Sequence, residues 1–390
     1  MIRRAYFENA VSLAALVASL WTAGEAHLQA ADPDRDRRKN SIRVGIITQA
    51  DGPHLEFYLK AVAACQGVSQ VAICDESGSE FERARQAFGS EFPESSTYRS
   101  PARMFEEFQP KFVIVAMPAD LSPNIIRLAL EAGCHVLTEK PGCVRVDQFA
   151  ELVQMADAKN LQLMLSLPHR VSPQSLRARE IIQHGLLGKL YAVNGLQVKD
   201  QTRLTRPEYQ QSWFASKDRA GGGHLIWLGI HHLDQILFLS GDRIEEVTAF
   251  CRNVGGQPVD IEDAEALALH FKSGMVGTFH GGYYLGAGEG QSGLTFWGSK
   301  GWLRMSAHHG PDGSAASFQW YSTHPDAPPG VQTENPTSNV DLYQSFVQAA
   351  VDAASGLRET PLTGDDSLQV LKVVFATYQA SQTGTVQKVP

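Results

Sequence analysis

Four side chains that can do chemistry lie at helical spacing within Gly221–Asp234, which reads GGGHLIWLGIHHLD. His224, Trp227, His231 and Asp234 follow one another at intervals of three, four and three residues, so a helix places them on one face. Imidazoles exchange protons near neutral pH. The pattern predicts an acid–base or substrate-binding face. A metal site at His224, His231 and Asp234 is a weaker alternative without a further ligand, and we expect no metal.

Further candidates follow four apolar runs that predict strands. They are Asp75 after VAIC, Met117 and Pro118 after KFVIVA, Glu139 and Lys140 after HVLT, and Arg170 after LQLMLS. The carboxyl ends of parallel strands meet at one edge of a sheet, where ligands bind. An acidic residue after the second strand binds ribose hydroxyls and disfavours a 2′-phosphate, so Asp75 predicts NAD over NADP.

The elements that must position these residues alternate up to about Pro168. The predicted strands are Ile42–Thr48, Val71–Cys74, Lys111–Ala116, His135–Thr138 and Leu161–Ser166, with helical periodicity between them. Strand–helix repeats of this length form right-handed crossovers. The sequence therefore predicts an α/β fold that begins with a doubly wound parallel sheet of the Rossmann type.

Strands dominate the second half of the chain. The predicted strands are Leu190–Val198, Glu245–Arg252, Ala264–Phe271, Val276–Tyr284, Leu294–Trp297 and Trp302–Met305. They predict an α/β domain with an open, mainly antiparallel sheet, covered by helices on one face. Pro325 to Ser338 is rich in Pro, Gly and Asn and predicts a loop or lid. We expect a first domain over residues 41–167 and a second over 168–390.

The loop after the first strand departs from the dinucleotide fingerprint G-x-G-x-x-G. Thr48 and Ala50 stand where further glycines are expected after Gly45, and only Gly52 remains near the helix start. Asp51 adds a negative charge that repels phosphate. Two interpretations stay open: the loop binds the pyrophosphate in an altered geometry, or the domain keeps the fold and has lost the dinucleotide.

The chain resembles the Gfo/Idh/MocA family of nicotinamide-dependent sugar and polyol dehydrogenases. The resemblance is carried by Glu139-Lys140-Pro141, by Gly221–Asp234, by Gly298–Arg304 and by the closing segment from Pro361. It implies a Rossmann domain, a second domain whose sheet often forms the oligomer face, and hydride transfer between a sugar hydroxyl carbon and the nicotinamide. A carbohydrate substrate and a homo-oligomer, dimer or tetramer, are expected.

The resemblance also implies roles for individual residues. Lys140 and His231 are the expected catalytic pair, because an ammonium favours a developing alkoxide and an imidazole exchanges its proton. In relatives an acidic residue stands at Trp227, so we expect His231 to be the main acid–base group. The residues expected to line the cofactor are Gly45, Thr48, Ala50, Gly52, Asp75, Met117, Pro118, Glu139 and Lys140. Those expected to bind substrate are Arg170, Trp213, His224, Trp227, Asp234 and Tyr283.

Composition excludes several other classes of protein. Of the 390 residues, 43% are hydrophobic and 19% charged, which is typical of a globular protein. The net charge is −8, from 34 basic and 42 acidic residues, with no basic stripe for nucleic acid. Five scattered cysteines favour neither a disulfide framework nor a zinc site.

Residues 1–40 predict a signal peptide and linker. Arg3-Arg4 precede an apolar stretch from Ala10 to Ala23, which is too short to span a bilayer. A twin-arginine signal would export the protein to the periplasm, and a cytoplasmic location is the alternative.

Three functions remain open from the sequence. The first is an NAD-dependent sugar, polyol or glycoside oxidoreductase. The second is a non-catalytic carbohydrate-binding or scaffold homologue, favoured by Thr48, Ala50, Asp51 and Trp227. The third is a glycoside hydrolase or lyase that uses Lys140 and His231 without redox turnover.

Overall fold

The computed structural model describes residues 33–50, 52–89, 92–310, 313–336 and 340–390. The apolar stretch of the expected signal peptide and Asp51 lie outside these residues. The expected linker ends in a short helix, α1 (Pro33–Lys39). Arg37 of this helix makes two hydrogen bonds of 3.0 and 2.8 Å to the carboxylate of Asp352. This ion pair ties the start of the described chain to its C-terminal part.

The first sheet has six parallel strands in the order β3-β2-β1-β4-β5-β6. The strands are β1 (Ile42–Thr48), β2 (Val68–Cys74), β3 (Thr97–Tyr98), β4 (Phe112–Ala116), β5 (His135–Thr138) and β6 (Leu163–Leu165). The helices are α2 (Leu55–Ala64), α3 (Phe81–Phe88), α4 (Ser122–Glu131) and α5 (Val146–Ala158), and Pro101–Phe108 forms a short irregular helix. The expected Rossmann-type sheet is confirmed, and the direction of the strand order reverses between β1 and β4.

Apolar sequence explains this layer. All five residues of β4 are buried, as expected for a strand covered on both faces. In α2 the buried residues include Leu55, Tyr58, Leu59 and Val62, which recur at the spacing of one helix face. The same spacing that predicted the helix therefore packs it against the sheet.

The second sheet has nine strands in the order β14-β13-β12-β11-β7-β10-β9-β8-β15. The strands are β7 (Leu190–Asp200), β8 (Ile244–Arg252), β9 (Ala264–Phe271), β10 (Val276–Leu285), β11 (Gly290–Gly298), β12 (Gly301–Gly310), β13 (Gly313–Ser322), β14 (Gln332–Glu334) and β15 (Gln387–Lys388). Among the described strands of this second sheet, β7 and β10 are the one pair that runs in parallel, so the expected mainly antiparallel sheet is confirmed.

Helices cover one face of this sheet. They are α6 (Pro173–Gln183), α7 (Ile230–Ser240) and α9 (Gly364–Thr383), with short helical turns at 168–171, 202–205, 207–210, 213–215 and 217–220. A further helix, α8 (Leu342–Ala354), packs instead against α2 of the first domain. A π-helical segment, Leu225–Gly229, leads into α7. Within the described residues no helix is both long and apolar enough to cross a membrane.

The segment expected to be a loop or lid contains a strand. Gln332–Glu334 pairs with β13 at the edge of the second sheet. The indole nitrogen of Trp320 donates to Glu334 over 2.7 Å, and Arg177 pairs with the same carboxylate. The expectation was wrong for these three residues because contacts distant in sequence, and not an alternating pattern, hold the strand.

Candidate active site

The loop between β1 and α2 forms a tight turn at the carboxyl edge of the first sheet. The hydroxyl of Thr48 donates to the carbonyl of Ala116 over 3.0 Å and so joins β1 to β4. A Cβ on Gly52 would lie 2.1 Å from the Thr48 hydroxyl and 2.6 Å from the Ala116 carbonyl. Position 52 therefore requires glycine, while Ala50 is exposed at the turn.

Gly45 lies deeper than the sequence predicted. It is inside β1, where a Cβ would lie 3.0 Å from the terminal methyl of Met104 and 3.3 Å from Pro110. Gly45 therefore makes room for core side chains, and the prediction that it lines the cofactor is corrected. Met117 and Pro118 follow β4 at the sheet edge as expected, and the Pro118 carbonyl accepts hydrogen bonds from Ser122 at the start of α4.

Asp75 faces the protein and not the edge of the sheet. The residue is 1% exposed. Its carboxylate accepts hydrogen bonds from the backbone amides of Ser77 and Glu80 and from the hydroxyls of Ser77 and Ser79. Both oxygens are used to order the loop before α3. The expectation that Asp75 binds ribose and selects NAD is therefore corrected.

Glu139 lies at the end of β5, beside the start of α2 and the crevice between the two domains. Its carboxylate accepts a short hydrogen bond from the Tyr58 hydroxyl, and its Oε1 lies 3.1 Å from Nδ1 of His54 and 3.8 Å from Nζ of Lys140. Burial raises the pKa of Glu139, but the positive charges of His54 and Lys140 and the hydrogen bonds hold it below its usual value. The carboxylate is therefore ionised at neutral pH.

Lys140 is a buried ammonium at the junction of the two domains. It is 2% exposed, and its Nζ donates to the Trp227 carbonyl over 2.6 Å and lies 4.4 Å from the centroid of the Trp227 ring. Burial lowers the pKa of Lys140 to about 8, against the favourable charge of Glu139. The peptide bond to Pro141 is cis. Lys140 can therefore exchange a proton near neutral pH.

His231 lies in a cluster of imidazoles near Lys140. Its ring centroid is 5.1 Å from that of His169, which in turn is 6.2 Å from that of His232. Burial lowers the pKa of His231 well below its usual value, and the neighbouring His169 imidazole and Lys140 ammonium lower it further. The charge of Lys140 thus reaches a neutral His231, and the catalytic roles of the two side chains stay a prediction.

Several buried polar atoms around this crevice have no hydrogen bond from any residue that the structure describes. They include His231 Nδ1 and His232 Nδ1, whereas His54 Nδ1 and Glu139 Oε1 lie 3.1 Å from each other as an ion pair. Buried polar atoms are normally satisfied. The amino end of the ten-residue helix α2 faces the same edge, and such helix ends bind phosphate. These groups fit a polar ligand that includes a nicotinamide dinucleotide.

An aromatic wall surrounds Lys140 on the side of the second domain. The Trp227 ring contacts Trp213 edge-on at 5.4 Å and Phe214 at 4.9 Å, and Trp213 stacks on Phe214 at 3.8 Å. Trp213 and Trp227 are only 7% and 5% exposed. Their rings contact the protein, so the expected direct binding of substrate by these two faces is corrected to support of Lys140.

His224 and Tyr283 also support the site from beneath. Nδ1 of His224 lies 2.6 Å from Oε1 of Glu265, and the Tyr283 ring meets the His224 ring edge-on at 4.8 Å. His224 is 0% exposed and Tyr283 4%. His224 is therefore separated from solvent, and its expected contact with substrate is corrected. The hydroxyl of Tyr283 accepts a hydrogen bond from Arg203.

Arg170 and Asp234 were predicted to bind substrate, but they bind each other. The guanidinium makes hydrogen bonds of 2.7 to 3.0 Å to Asp234 and one of 3.1 Å to Asp366. Arg170 is 6% and Asp234 0% exposed. The pair joins the end of the first domain to α7 and α9, so both predictions are corrected.

The structure does not place His224, His231 and Asp234 as ligands of one metal ion. His224 pairs with Glu265 and Asp234 pairs with Arg170, so they do not converge with His231. Across the described ranges no group of three or more His, Cys, Asp or Glu side chains is arranged to hold a metal ion.

Sequence reasoning missed several residues of the crevice. His54, Tyr58, His169, Lys199 and Arg203 were not among the expected site residues. His169 adjoins Arg170, and His54 directly follows the loop before α2, so position relative to strand ends was an available signal for both. No local pattern distinguishes Lys199 or Arg203. Lys199 is placed by the pairing of β7 with β10, and Arg203, in the turn after β7, by its contact with Tyr283.

Both domains of the chain match models of known protein families. Residues 42–167 match the family model described as "Oxidoreductase family, NAD-binding Rossmann fold". Residues 175–304 match the model described as "GFO/IDH/MocA C-terminal domain". The chain belongs to the Gfo/Idh/MocA family.

Curated relatives of this Gfo/Idh/MocA protein include sugar oxidoreductases. D-glucoside 3-dehydrogenase of Escherichia coli (strain K12) is 30% identical over 51% of this chain and 54% of its own length. 1,5-anhydro-D-fructose reductase of Ensifer adhaerens is 23% identical over 71% of this chain and 79% of its own length. The match to the glucoside dehydrogenase thus spans about half of that relative.

Solved structures share the architecture of the Gfo/Idh/MocA chain. Aldose-aldose oxidoreductase from Caulobacter crescentus, complexed with glycerol, has a TM-score of 0.74 at 20% identity, covering 88% of this chain and 99% of its own. WlbA dehydrogenase from Bordetella pertussis, in complex with NADH and UDP-GlcNAcA, has a TM-score of 0.73 at 21% identity, covering 90% and 99%. At such identities the likeness shows the fold.

The structural role of the buried pair of Arg170 and Asp234 in this Gfo/Idh/MocA chain can be tested by removing the arginine. Arg170→Met leaves Asp234 buried without its partner, so we expect the free energy of unfolding to fall by about 3–5 kcal/mol in urea denaturation. Arg243→Met removes a pair with Asp365 that is exposed on both sides, and it should change the same quantity by less than about 1 kcal/mol. An Arg170→Met protein of unchanged stability and raised KM would restore the substrate-binding role.

Proposed function

We propose that the protein is a nicotinamide-dependent oxidoreductase acting on a hydroxyl carbon of a sugar, polyol or glycoside. The observation that carries the proposal is the buried Lys140 ammonium at the domain junction. It is held by Glu139 and by the Trp227 carbonyl beside the carboxyl edge of a Rossmann sheet, with His231 within range of its charge. Family membership and the two curated sugar oxidoreductases support the substrate class. Glycoside hydrolysis commonly needs two carboxyl groups that flank the scissile bond. Among the described residues one carboxylate, that of Glu139, lies within 4.0 Å of Lys140, so the geometry gives hydrolysis less support.

The two side chains divide the work on the reacting hydroxyl. A bound dinucleotide supplies the hydride acceptor and donor. Lys140 orients the hydroxyl and takes or returns its proton, because its pKa of about 8 leaves both protonation states accessible. His231, held neutral by burial and by neighbouring positive charges, offers an unpaired ring nitrogen as a hydrogen-bond partner. Trp227 holds the Lys140 ammonium in place.

The cofactor is proposed to be NAD, as the description of the matched first domain suggests. Asp75 does not support the choice, because its carboxylate is used within its own loop. Gly52, the amino end of α2, Met117 and Glu139 are the groups proposed to hold the dinucleotide. Titration with NADH and with NADPH, followed by cofactor fluorescence, tests both the binding and the preference.

Catalysis by this pair predicts a large effect of removing either side chain. Lys140→Met and His231→Asn should each lower kcat for oxidation of an active sugar by about 100-fold or more, because a positioned acid–base group contributes about that factor. The measurement is NADH formation across a panel of sugars and polyols. Lys272→Met and His184→Asn change exposed residues of the same types and serve as matched controls. Wild-type rates in both active-site variants would contradict the proposal.

A second prediction concerns pH. Oxidation needs an unprotonated acceptor, so kcat/KM should rise with pH up to about 8 and then level. The negative charge of Glu139 favours the Lys140 ammonium, so Glu139→Gln should move the midpoint below 8. The exposed Glu131→Gln is the control. A pH-independent rate between about pH 6 and 9 would remove Lys140 from the proton transfer.

We also propose that the open face of the second sheet binds a second copy of the chain. Register places Trp297, Ala192, Val276 and His270 in one row across this face. Trp297 and Val276 are 41% and 55% exposed, and Phe250 nearby is 70% exposed. Exposed apolar surface of this kind marks interfaces, and a single face can be self-complementary about a two-fold axis.

The proposed interface predicts the mass of the particle in solution. Light scattering after size-exclusion chromatography should give at least twice the mass of one chain. Val276→Glu and Trp297→Glu should shift the mass toward one chain, since each buries a charge in the interface. Leu176→Glu alters an equally exposed apolar residue on α6 and should leave the mass unchanged. A monomeric wild type would contradict the proposal.

A further inference from the structure

Three basic side chains lie at the domain junction, one from the first domain and two from the second. They are Lys140, Lys199 on the inner face of β7, and Arg203, whose charge acts on Lys140, and we call this group the basic crevice. Arg203 is exposed and Lys199 is half-buried, so both are open to a ligand. Their concentration is notable in a chain whose net charge is −8.

Arg203 is held by aromatic residues. Its guanidinium donates to the Tyr283 hydroxyl over 3.3 Å and lies 5.1 Å from the centre of the Tyr209 ring and 5.8 Å from that of Tyr283. These contacts fix the position of the guanidinium without neutralising its charge. Among the residues that the structure describes, no carboxylate oxygen lies within 4.0 Å of it.

Lys199 reaches the same region from the neighbouring strand. In the register of β10 with β7 it lies opposite Tyr283, so both side chains are on the inner face of the sheet. Its positive charge contributes to lowering the pKa of His169, to about 4, although burial is the larger cause. Lys199, like Arg203, has no ion pair with any described carboxylate within 4.0 Å.

The acidic groups on this side of the crevice are engaged elsewhere. Glu265 pairs with His224, and Glu262 accepts hydrogen bonds from the amides of Gly223 and Leu225 and from the Tyr378 hydroxyl. Asp263 accepts from backbone amides of its own loop, and Asp200 accepts from the amide of Thr202 and from that of Gly288 between β10 and β11. Glu139 is shared between Lys140, His54 and Tyr58. The basic crevice therefore keeps a net positive charge.

We infer that the substrate carries an anionic group, which Arg203 and Lys199 bind while its reacting hydroxyl lies at Lys140 and His231. The inference rests on the proposed function and specifies its substrate class: sugar acids or sugar phosphates. A fixed guanidinium recognises the paired oxygens of a carboxylate or phosphate. An anion bound to Arg203 and Lys199 would reduce the electrostatic repulsion between these side chains and the Lys140 ammonium.

The experiment compares matched neutral and anionic sugars on the full-length protein. D-glucose is tested against D-glucuronate and D-glucose 6-phosphate, and D-galactose against D-galacturonate, with NAD and with NADP. We expect kcat/KM at least about tenfold higher for one anionic class, which corresponds to about 1.4 kcal/mol. The uronates and the phosphate distinguish the two sources of negative charge. Equal kcat/KM for neutral and anionic sugars would overturn the inference and leave the proposed function intact.

Arg203 variants connect that preference to the basic crevice. Arg203→Met should lower the ratio of anionic to neutral kcat/KM to near one, and Arg203→Lys should retain part of it. Arg127→Met removes an exposed arginine on α4 and should leave the ratio unchanged. A ratio that persists in Arg203→Met would contradict the assignment. Weaker NADH binding by Arg203→Met with an unchanged ratio would instead place a cofactor phosphate at Arg203, and the inference would be wrong.

A binding measurement separates this inference from the proposed function. If no sugar is oxidised, the proposed function fails, but thermal stabilisation of the protein by glucuronate and by glucose can still be compared. Stabilisation by the anion alone, lost in Arg203→Met and kept in Arg127→Met, would support the basic crevice. Equal effects of both sugars would overturn it.

Discussion

The burial of the Lys140 ammonium is the constraint on which the rest of the site depends. Removing a charge from water is costly unless other groups replace its hydration. The protein replaces it with the Trp227 carbonyl at 2.6 Å, the face of the Trp227 ring and the carboxylate of Glu139. The replacement is incomplete, and burial therefore lowers the pKa of Lys140 to about 8. Because this pKa is close to neutral pH, the Lys140 side chain is suited to proton exchange.

This constraint explains why Trp227 stands where the family resemblance suggests an acid. An acidic side chain there would raise the pKa of Lys140 and add a second charge to the crevice. The indole instead offers a ring face, and it is fixed by Trp213 and Phe214, while the acceptor for Lys140 is the backbone carbonyl of residue 227. The negative charge comes from the first domain, through Glu139. Both domains are therefore needed to hold one ammonium, which couples the site to their arrangement.

The loop after β1 is likewise shaped by residues other than those of the dinucleotide fingerprint. A row of glycines is absent, but the hydroxyl of Thr48 joins β1 to β4 and Gly52 fits against both. His54 and Tyr58, just beyond the loop, extend the polar surface to Glu139. The carboxyl edge of the sheet thus carries polar side chains with fewer glycines, and ring nitrogens of His231 and His232 without a hydrogen bond from the described residues lie near the proposed catalytic residue Lys140.

Local sequence determined the layers of this protein and the identity of its central residues. Buried apolar runs and helical spacing predicted β1, β4 and α2, and the family resemblance carried by Glu139-Lys140-Pro141 and Gly221–Asp234 implied the pairing of Lys140 with His231. Tertiary structure alone decided what the other polar side chains do. Arg170 pairs with Asp234, which is 64 positions away in the sequence. The Asp75 carboxylate accepts hydrogen bonds within its own loop, and Arg203 donates to the hydroxyl of Tyr283 on β10. A polar side chain can serve as ligand, cap or ion-pair partner with equal chemistry, and only the neighbours that folding brings to it select among these roles.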